Sequence, residues 1–590
     1  MNRWMCVCSI CIIFVNVSYP QMDSTFSSDS IVSDLKIESI MEQSNDVDDS
    51  PLLDFIWREN PPARSFIQVR SRFTESLEKS AGFSNGKYLG SALKSYQRLK
   101  FSTLDHLTGG ILLEKDAGEK RLNDFVVGNV TLTNYGLISK LAIGDYFLEA
   151  GQGLALWRSY DIIKGSDILT PVQREASGLN PYLSSGEGQF LRGAAMELNF
   201  GRVIPILFFS RRDRSGTVDS SGVVRSFYDL GYFRTEEEIK KQNVFIEQQL
   251  GARVEYQTSQ MNTLGATFYS IRYSRGIFIH THDVTVTDQL TVASLDYTYG
   301  YKPVTVSGEI ATSKKSIAGI GNCVISPLKK LDLIISARYY PARFVAVNGL
   351  GFGETRSNEQ GFYFGVNLQP FAWSTLSSYF DQYKSIESTT MPFLSTGTDF
   401  LVNAECSINR RSNVVLRYHR KIGTIGRTQM NTKGLDTRVV EPQQKENLRL
   451  SVEYRLSSRT SLRGRIEYVM LRSNASGNKE TGFLTYQDIV VRPLGTLSLN
   501  FRVVYCKTDS YASGVGEYER DLDGVMTQPI LYGSMIRWYA LVKYTLSDGI
   551  KISLKYIDSI RDNVKKIGTG LDQLPGNRDD RLGVQIDLNI

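Results

Sequence analysis

Long apolar runs are scarce in this sequence. Beyond its first 20 residues, no run reaches the roughly 18 uninterrupted apolar residues that a membrane-spanning helix needs. Residues 4–17 are nearly all apolar, and a short basic start, Met1-Asn2-Arg3, precedes them. This pattern is typical of a secretory signal peptide, so we expect residues 1–20 to be removed on export. An exported Gram-negative chain without a spanning helix is periplasmic, secreted or an outer-membrane β-barrel.

Cysteine and catalytic motifs are also scarce. Three of the six cysteines lie in the signal peptide, and the other three, Cys323, Cys406 and Cys506, are widely spaced. An odd number at such spacing argues against a disulfide framework and against a metal site. His280 and His282 could share one side of an extended segment, but no third ligand is evident. No phosphate-binding Gly-Lys-Ser/Thr loop or hydrolase triad can be recognised. We therefore predict no catalytic residues, no metal, no cofactor and no enzyme activity.

Segments in which apolar and polar side chains alternate are abundant in this sequence. Residues 581–590 alternate apolar and polar side chains to the last position, and residues 448–456 and 462–470 do so across the turn 457–460. A period of two predicts strands with one apolar and one polar face. The hydrophobic fraction is only 41% and the mean hydropathy is −0.21, as expected when lipid-facing and lumen-facing residues alternate. The 31 tyrosines and 28 phenylalanines suit aromatic girdles.

Connections between these strands alternate between short and long. Eleven are short, and between them lie long ones, notably residues 149–188, 213–247, 341–358, 422–444, 509–531 and 561–579. We predict an all-β fold over residues 65–590: a large closed antiparallel transmembrane β-barrel of about 24 strands, within a range of about 22–26. The alternative is a soluble propeller or tandem sandwich, which the lack of a 40–50-residue repeat disfavours.

Charge divides the chain into two parts. Residues 21–64 hold ten acidic and three basic residues, a net charge of −7, whereas residues 65–590 carry +12. We interpret residues 21–64 as an acidic periplasmic helical leader that could dock a periplasmic protein. The expected location is the outer membrane, with both termini periplasmic and with lipid and lipopolysaccharide as partners. The basic body would attract anions, or lipopolysaccharide at its rim.

The 149–188 connection is the first candidate site. A stretch of this length without strand periodicity is usually functional or disordered, and its glycines, aromatic residues and paired charges indicate order. We predict that it folds into the lumen as a constriction or plug. The alternative is that its charges only satisfy the inner wall and stiffen the barrel. The candidate residues here are Trp157, Arg158, Asp161, Lys164, Asp167, Arg174, Glu175, Glu187 and Arg192.

The second set of candidates lies on the polar faces of the predicted strands. Five arginines would supply a positive lumen field, and two glutamates would set the radius. The function hypothesis is an outer-membrane channel or translocation pore biased to anionic cargo. The alternative is a non-conducting scaffold that docks periplasmic or surface partners, in surface assembly or DNA uptake. The wall residues are Arg449, Arg455, Arg463, Arg465 and Arg502, with Glu453 and Glu467.

Several segments resemble a family of Gram-negative barrel proteins labelled as helix-hairpin-helix (ComEA-like) domain-containing. The resembling segments are Glu114-Lys115-Asp116-Ala117-Gly118-Glu119, Gly144-Asp145-Tyr146, Gly151-Gln152-Gly153-Leu154, Gly178-Leu179-Asn180-Pro181-Tyr182 and Arg192-Gly193-Ala194-Ala195. The resemblance implies an outer-membrane location. The helix-hairpin-helix part itself is missing, since Pro61-Pro62 passes almost directly to the first strand. Because residues 21–64 are acidic and would repel duplex DNA, DNA binding is not expected.

Overall fold

Alternating side chains build one continuous sheet that curls and closes on itself. The computed structural model describes residues 65–590 apart from 104–105, 158–163, 189, 260, 280–284, 356, 389–393, 431–435 and 474–476. The predicted signal peptide and acidic leader lie outside these residues, as do His280 and His282. Within the described part, 24 antiparallel strands form the barrel.

The barrel strands are numbered in chain order. They are β1 (Phe66–Ser76), β2 (Lys94–Thr103), β3 (Leu107–Lys115), β4 (Phe125–Tyr135), β5 (Ile138–Glu149), β6 (Leu191–Leu198), β7 (Val203–Arg214), β8 (Phe245–Ser259), β9 (Asn262–Ile279), β10 (Thr285–Tyr301), β11 (Val304–Ser313), β12 (Ser316–Leu328), β13 (Leu331–Tyr340), β14 (Glu359–Phe371), β15 (Ser374–Lys384), β16 (Thr396–Asn409), β17 (Ser412–Met430), β18 (Asp436–Arg455), β19 (Thr460–Ser473), β20 (Lys479–Leu494), β21 (Leu497–Thr508), β22 (Ser534–Ser547), β23 (Ile550–Arg561) and β24 (Arg578–Asn589).

The first and last strands close the barrel. Each strand pairs with its neighbours along the chain, and β1 also pairs with β24, from Gln68 opposite Asn589 to Ser76 opposite Arg581. The alternating C-terminal segment therefore has a hydrogen-bonded partner on both sides, β23 and β1. This confirms the predicted closed antiparallel barrel and shows that the propeller or sandwich alternative is wrong.

Connections of different length lie at opposite ends of the barrel. The eleven short turns lie at the end where β1 begins and β24 ends, at the predicted positions. The other end carries the long connections, most of which match the prediction, together with shorter ones such as Lys314-Lys315 between β11 and β12. The predicted long connection 422–444 is wrong, because β17 and β18 stay paired from Ile422–Gln444 to Met430–Asp436. With 19 and 20 residues, these strands exceed the roughly 9–11 that cross a bilayer, so their ladder continues beyond it.

The two faces of the sheet differ sharply. Leu295 and Ile310 lie opposite each other on β10 and β11 and are 67% and 61% exposed, whereas the next pair, Asp296 and Glu309, is buried. The outer face is therefore apolar and the inner face polar, as a barrel in the outer membrane requires. Exposed aromatic side chains lie near the short-turn end and form the predicted girdle; they include Tyr135, Tyr299, Tyr301, Phe371, Trp373, Tyr454 and Tyr544.

Helices are short in the described residues. There are two of four residues each, Ala81–Ser84 and Glu236–Ile239, and one 3₁₀ turn, Gly570–Asp572. The second helix begins with a capping box in which Thr235 and Glu238 bond each other's backbone amides, as the Thr-x-x-Glu spacing predicts. Among these residues, none of the helices has the length and apolar content needed to cross a bilayer.

Candidate functional site

Three long connections fold back into the lumen. We call residues 150–190 the first inner loop, residues 341–358 the bracing loop and residues 509–533 the second inner loop. The carbonyl of Ile168 in the first loop accepts a hydrogen bond from Tyr363 on β14. The carbonyl of Tyr518 in the second accepts one from Arg502 on β21. Both donors are buried on the inner face of the wall, so these loops contact the wall from inside.

One buried carboxylate fixes the start of the first inner loop. Glu309 on β11 accepts hydrogen bonds from the backbone amides of Gln152, Leu154 and Ala155, at 2.8, 2.9 and 3.0 Å. Amides buried in this way need an acceptor, because an unpaired one costs the free energy of a lost hydrogen bond. Asn322 on β12 adds a bond of 2.9 Å to the Gln152 side-chain oxygen. The loop therefore enters the lumen along polar side chains of β11 and β12.

Apolar packing holds the same loop. Leu154, Ile168 and Val172 belong to one buried cluster with Tyr340 and Tyr363 of the wall. Burial of each large aliphatic side chain contributes about 1.5–3 kcal/mol. This contribution does not depend on salt, so the first inner loop is held firmly even where charges are screened.

Lys164 is the centre of an ionic cluster between the first inner loop and the wall. Its ammonium group lies 2.8 Å from Asp381 on β15 and 3.3 Å from Asp399 on β16, and it also contacts Glu354 of the bracing loop. Arg338 on β13 donates two hydrogen bonds to Asp381, both of 2.9 Å. Burial alone would lower the pKa of Lys164, but the three carboxylates raise it well above its ordinary value. Lys164 is therefore charged and ties two loops to two strands.

The bracing loop completes this cluster. Burial would raise the pKa of Glu354, but Lys164 and Lys421 outweigh it and lower that pKa to about 2. Lys421 lies 2.8 Å from the Glu354 carboxylate. Glu359, at the start of β14, accepts hydrogen bonds from the amides of Glu354 and Thr355. The bracing loop is thus positioned by the wall and in turn holds Lys164.

Three further predicted residues of this loop, Trp157, Asp167 and Arg174, have structural partners. The Arg174 guanidinium lies 4.8 Å from the centre of the Trp157 ring and donates to the carbonyls of Gln152, Pro171 and Leu350. Asp167 accepts hydrogen bonds from two nearby amides and shapes a local turn. Arg158 and Asp161 lie outside the described residues.

Glu175, Glu187 and Arg192 do not join the Lys164 cluster. Glu175 is exposed. Glu187 lies at the outer end against Gly231, and burial, together with Glu119 and other nearby carboxylates, raises its pKa to about 8. Arg192 is on β6 and pairs with Asp145 at 2.7 Å. The predicted set is therefore divided between the lumen, the outer loops and the wall.

Four of the five predicted wall arginines are paired with carboxylates. Arg455, the fifth, is exposed at the short-turn end. The two predicted glutamates are themselves partners in these pairs, so much of the expected positive field is balanced locally. The pairs are Arg449–Glu467 at 2.8 Å, Arg463–Glu453 at 3.2 Å, Arg502–Asp488 at 2.6 Å and Arg465–Glu467.

The sequence predicts a long outer connection at residues 509–531. In the structure, this second inner loop lies inside the barrel instead. Residues 513–519 are buried against β19, β21 and β22. Acidic residues at positions 517, 519, 521 and 523 were the available signal. The partners of these residues are spread over several strands, so only the closed barrel brings them together.

The described part of the chain shows no binding site for a metal or a cofactor. No group of three or more His, Cys, Asp or Glu side chains there is arranged to hold a metal ion. Cys323, Cys406 and Cys506 are free thiols. The expectations of no cofactor and no enzyme activity stay predictions.

Known proteins offer only distant similarity. No family model matches the chain, and no curated protein matches it. Solved structures with a similar fold include the siderophore receptor PirA from Acinetobacter baumannii, at 8% identity and a TM-score of 0.44, covering 89% of this chain and 80% of that chain. The ferric enterobactin receptor PfeA from Pseudomonas aeruginosa has 9% identity, a TM-score of 0.46 and coverages of 90% and 82%. The copper transporter OprC has 8% identity, a TM-score of 0.44 and coverages of 90% and 81%.

One prediction is corrected. The resemblance to ComEA-like helix-hairpin-helix proteins is wrong: the described residues contain only two four-residue helices and one 3₁₀ turn. The glycine-rich segments that suggested the resemblance are strand ends and loop turns of the barrel, such as Gly144 and Gly151, which have positive φ.

Proposed function

We propose that this protein is a passage channel of the outer membrane that the first inner loop narrows and that favours anionic cargo. The observation that carries the proposal is the attachment of residues 152–157 and 164–174 to inward-facing groups on strands between β9 and β16. These groups include Tyr269, Glu309, Asp381 and Asp399. A barrel of this many strands encloses a lumen wide enough for a channel or a plug. A chain segment fixed across part of that lumen limits what passes.

The contacts of the first inner loop support a fixed constriction. Apolar packing around Ile168 and the ionic cluster around Lys164 act on the same loop from different strands. If the apolar contacts were removed, the ionic contacts would still hold the loop, and the reverse also applies. The excess of basic residues in residues 65–590 supports the preference for anions, because a net positive channel concentrates them.

Single-channel conductance tests this proposal. The full chain is purified, its barrel is verified by gel mobility before and after boiling, and currents are recorded in planar bilayers. In a variant, a Gly/Ser sequence of equal length replaces residues 152–175, which removes the loop's contacts without shortening the chain. We expect its conductance to rise by at least about threefold. A salt gradient across the bilayer then reports whether anions carry most of the current.

A matched control replaces residues 563–576, an outer loop, in the same way. It should leave conductance unchanged. If the 152–175 replacement gives an intact barrel with unaltered conductance, the constriction proposal fails. A barrel that is silent in every form would favour the non-conducting scaffold instead.

A further inference from the structure

The second inner loop places its acidic side chains on basic groups of the wall. Glu519 makes two parallel contacts with the Arg537 guanidinium, at 2.5 and 3.0 Å. The next two acidic residues contact lysines; the pairs are Asp521–Lys555 at 2.9 Å, Asp523–Lys543 at 2.7 Å and Asp523–Lys551 at 2.9 Å. We call the inward-facing Arg465, Arg502, Arg537, Lys543, Lys551 and Lys555 the basic strip.

The basic strip and its flanks also bind the backbone of the loop. Arg502 donates to the Tyr518 carbonyl at 2.5 Å, and Arg465 donates to the Gly516 carbonyl at 3.0 Å. Beside the strip, Lys445 on β18 donates to two further carbonyls of the loop. Donors that pair with peptide carbonyls as well as with carboxylates are suited to a polypeptide. A polysaccharide or a nucleic acid has no such carbonyl row.

Charges of both signs are matched along this contact. Arg520, the one basic residue among loop residues 515–525, lies 3.7 Å from Asp488 of the wall. Glu517, by contrast, is buried 4.0 Å from Arg502, and neither of its carboxylate oxygens has a hydrogen-bond partner. The loop therefore fits the strip, but one of its charges is poorly satisfied.

The way the second loop is held makes it displaceable. It has fewer apolar anchors than the first inner loop: Val515 and Leu531 lie in a buried cluster of eight residues, and Leu522 and Val525 lie in a smaller one. Its acidic side chains at positions 519, 521 and 523 are held by ion pairs, and ion pairs can be exchanged for equivalent ones from a competing chain. The first inner loop has a larger apolar cluster, so a competing chain could not displace it in the same way.

We propose that the basic strip is a binding site for an extended acidic polypeptide segment and that residues 515–525 occupy it as a built-in competitor. The proposal deepens the proposed function, since the strip lines the same lumen, but binding itself does not require conduction. A tethered loop acts at an effective concentration in the millimolar range, so it masks the strip until a stronger acidic segment displaces it.

Peptide binding to the full barrel tests the proposal. The probe is a fluorescein-labelled peptide with the sequence of residues 515–525, and its anisotropy is measured with detergent-purified protein. The loop variant is E519Q/D521N/D523N, which leaves the wall and Glu517 intact. We expect it to bind the probe at least about tenfold more tightly than the unaltered protein, because its own loop no longer competes. Raised salt should weaken this binding.

Two controls make the result specific. A peptide with the same three neutral substitutions should bind far more weakly. Adding K543Q/K555Q to the loop variant should reduce binding of the acidic peptide, since these lysines belong to the strip. The milder single variant D523N, at a less buried position than Glu519, should raise affinity in the same direction if the triple variant does not fold.

Several outcomes would overturn the inference. Equal affinity for the unaltered protein and for folded loop variants would show that the loop does not compete. Displacement by dextran sulfate as effective as by unlabelled peptide, charge for charge, would make the strip a general polyanion site. A silent bilayer with intact peptide binding would remove the channel proposal alone, and a conducting barrel that binds no peptide would remove this inference alone.

Discussion

The ammonium nitrogen of Lys164 lies 2.8 Å from a carboxylate oxygen of Asp381, and both side chains are almost fully buried. This contact joins the first inner loop to β15. Breaking a buried pair by removing one partner costs more than the pair itself contributes, because the remaining charge has lost its compensation.

Lys164→Met is therefore expected to loosen the first inner loop strongly. Asp381, Asp399 and Glu354 would lose their shared cation, at a cost of about 3–5 kcal/mol. Hydrogen exchange of residues 164–174 should accelerate while the barrel strands stay protected. Lys240→Gln is the matched control, since Lys240 is exposed and pairs with exposed Glu237, and it should change exchange hardly at all. Equal effects of the two variants would contradict the role of Lys164.

Arg502→Lys is expected to be damaging although it keeps the charge. The guanidinium donates to Asp488 and to the Tyr518 carbonyl and lies 4.1 Å from the centre of the Tyr486 ring. An ammonium group cannot make these contacts in one plane, so we expect a loss of about 2–4 kcal/mol, seen as a lower unfolding temperature in detergent. Arg455→Lys, at the exposed short-turn end, should leave that temperature unchanged.

Docking of the second inner loop is expected to weaken as pH rises. Burial and nearby Glu519 raise the pKa of Glu517 to about 7, against the lowering effect of Arg502, Arg465 and Arg537. A group whose pKa is higher in the docked state favours docking at low pH, and this contribution is lost as pH rises from the ordinary value of 4.5 to about 7. The full change is up to about 3 kcal/mol.

Hydrogen exchange of residues 513–519, corrected for the intrinsic rate, measures this effect. Protection should be greater at pH 5 than at pH 8, and Glu517→Gln should abolish the difference. Glu175→Gln changes an exposed carboxyl of the first inner loop and should preserve it. Protection that rises with pH in the unaltered protein would contradict the assignment to Glu517.

A charge on the outer face is expected to destabilise the barrel. Leu295 is 67% exposed in the middle of β10, where hydrocarbon surrounds it, so Leu295→Arg should cost about 2–4 kcal/mol. Leu230 is 70% exposed but lies in an outer loop, and Leu230→Arg should cost little. Unfolding equilibria in lipid vesicles compare the two. Equal costs would mean that the face carrying Leu295 does not meet lipid.

The period-two pattern was sufficient to predict the barrel. It located Ile466 and Tyr468 on one face of β19 and Arg465 and Glu467 on the other, because strand geometry alone determines this alternation. It failed at residues 422–444, whose polar composition resembles a loop although the backbone ladder continues. Beyond the bilayer a strand needs no apolar face, so hydropathy no longer distinguishes it from a connection.

Long-range partners were beyond the reach of sequence reasoning. Lys164 is among the lumen candidates that the sequence suggests, but its three carboxylate partners come from residues 354, 381 and 399, far away along the chain. The inward course of the second inner loop depends on Arg537 and Lys555, which meet it only after the barrel has closed. Complementary charges that meet only in the folded barrel cannot be paired with each other from the sequence alone.

The pairing of β1 with β24 has a consequence for biogenesis. Arg70 and Asp587 are 517 positions apart and yet form an ion pair of 2.5 Å across this seam. Until the final strand is in place, the growing sheet has two unpaired edge strands that can pair with other chains. Both edges therefore stay unpaired until the ring is shut, and a translation product that lacks its last dozen residues would keep the edges of β1 and β23 open to other chains.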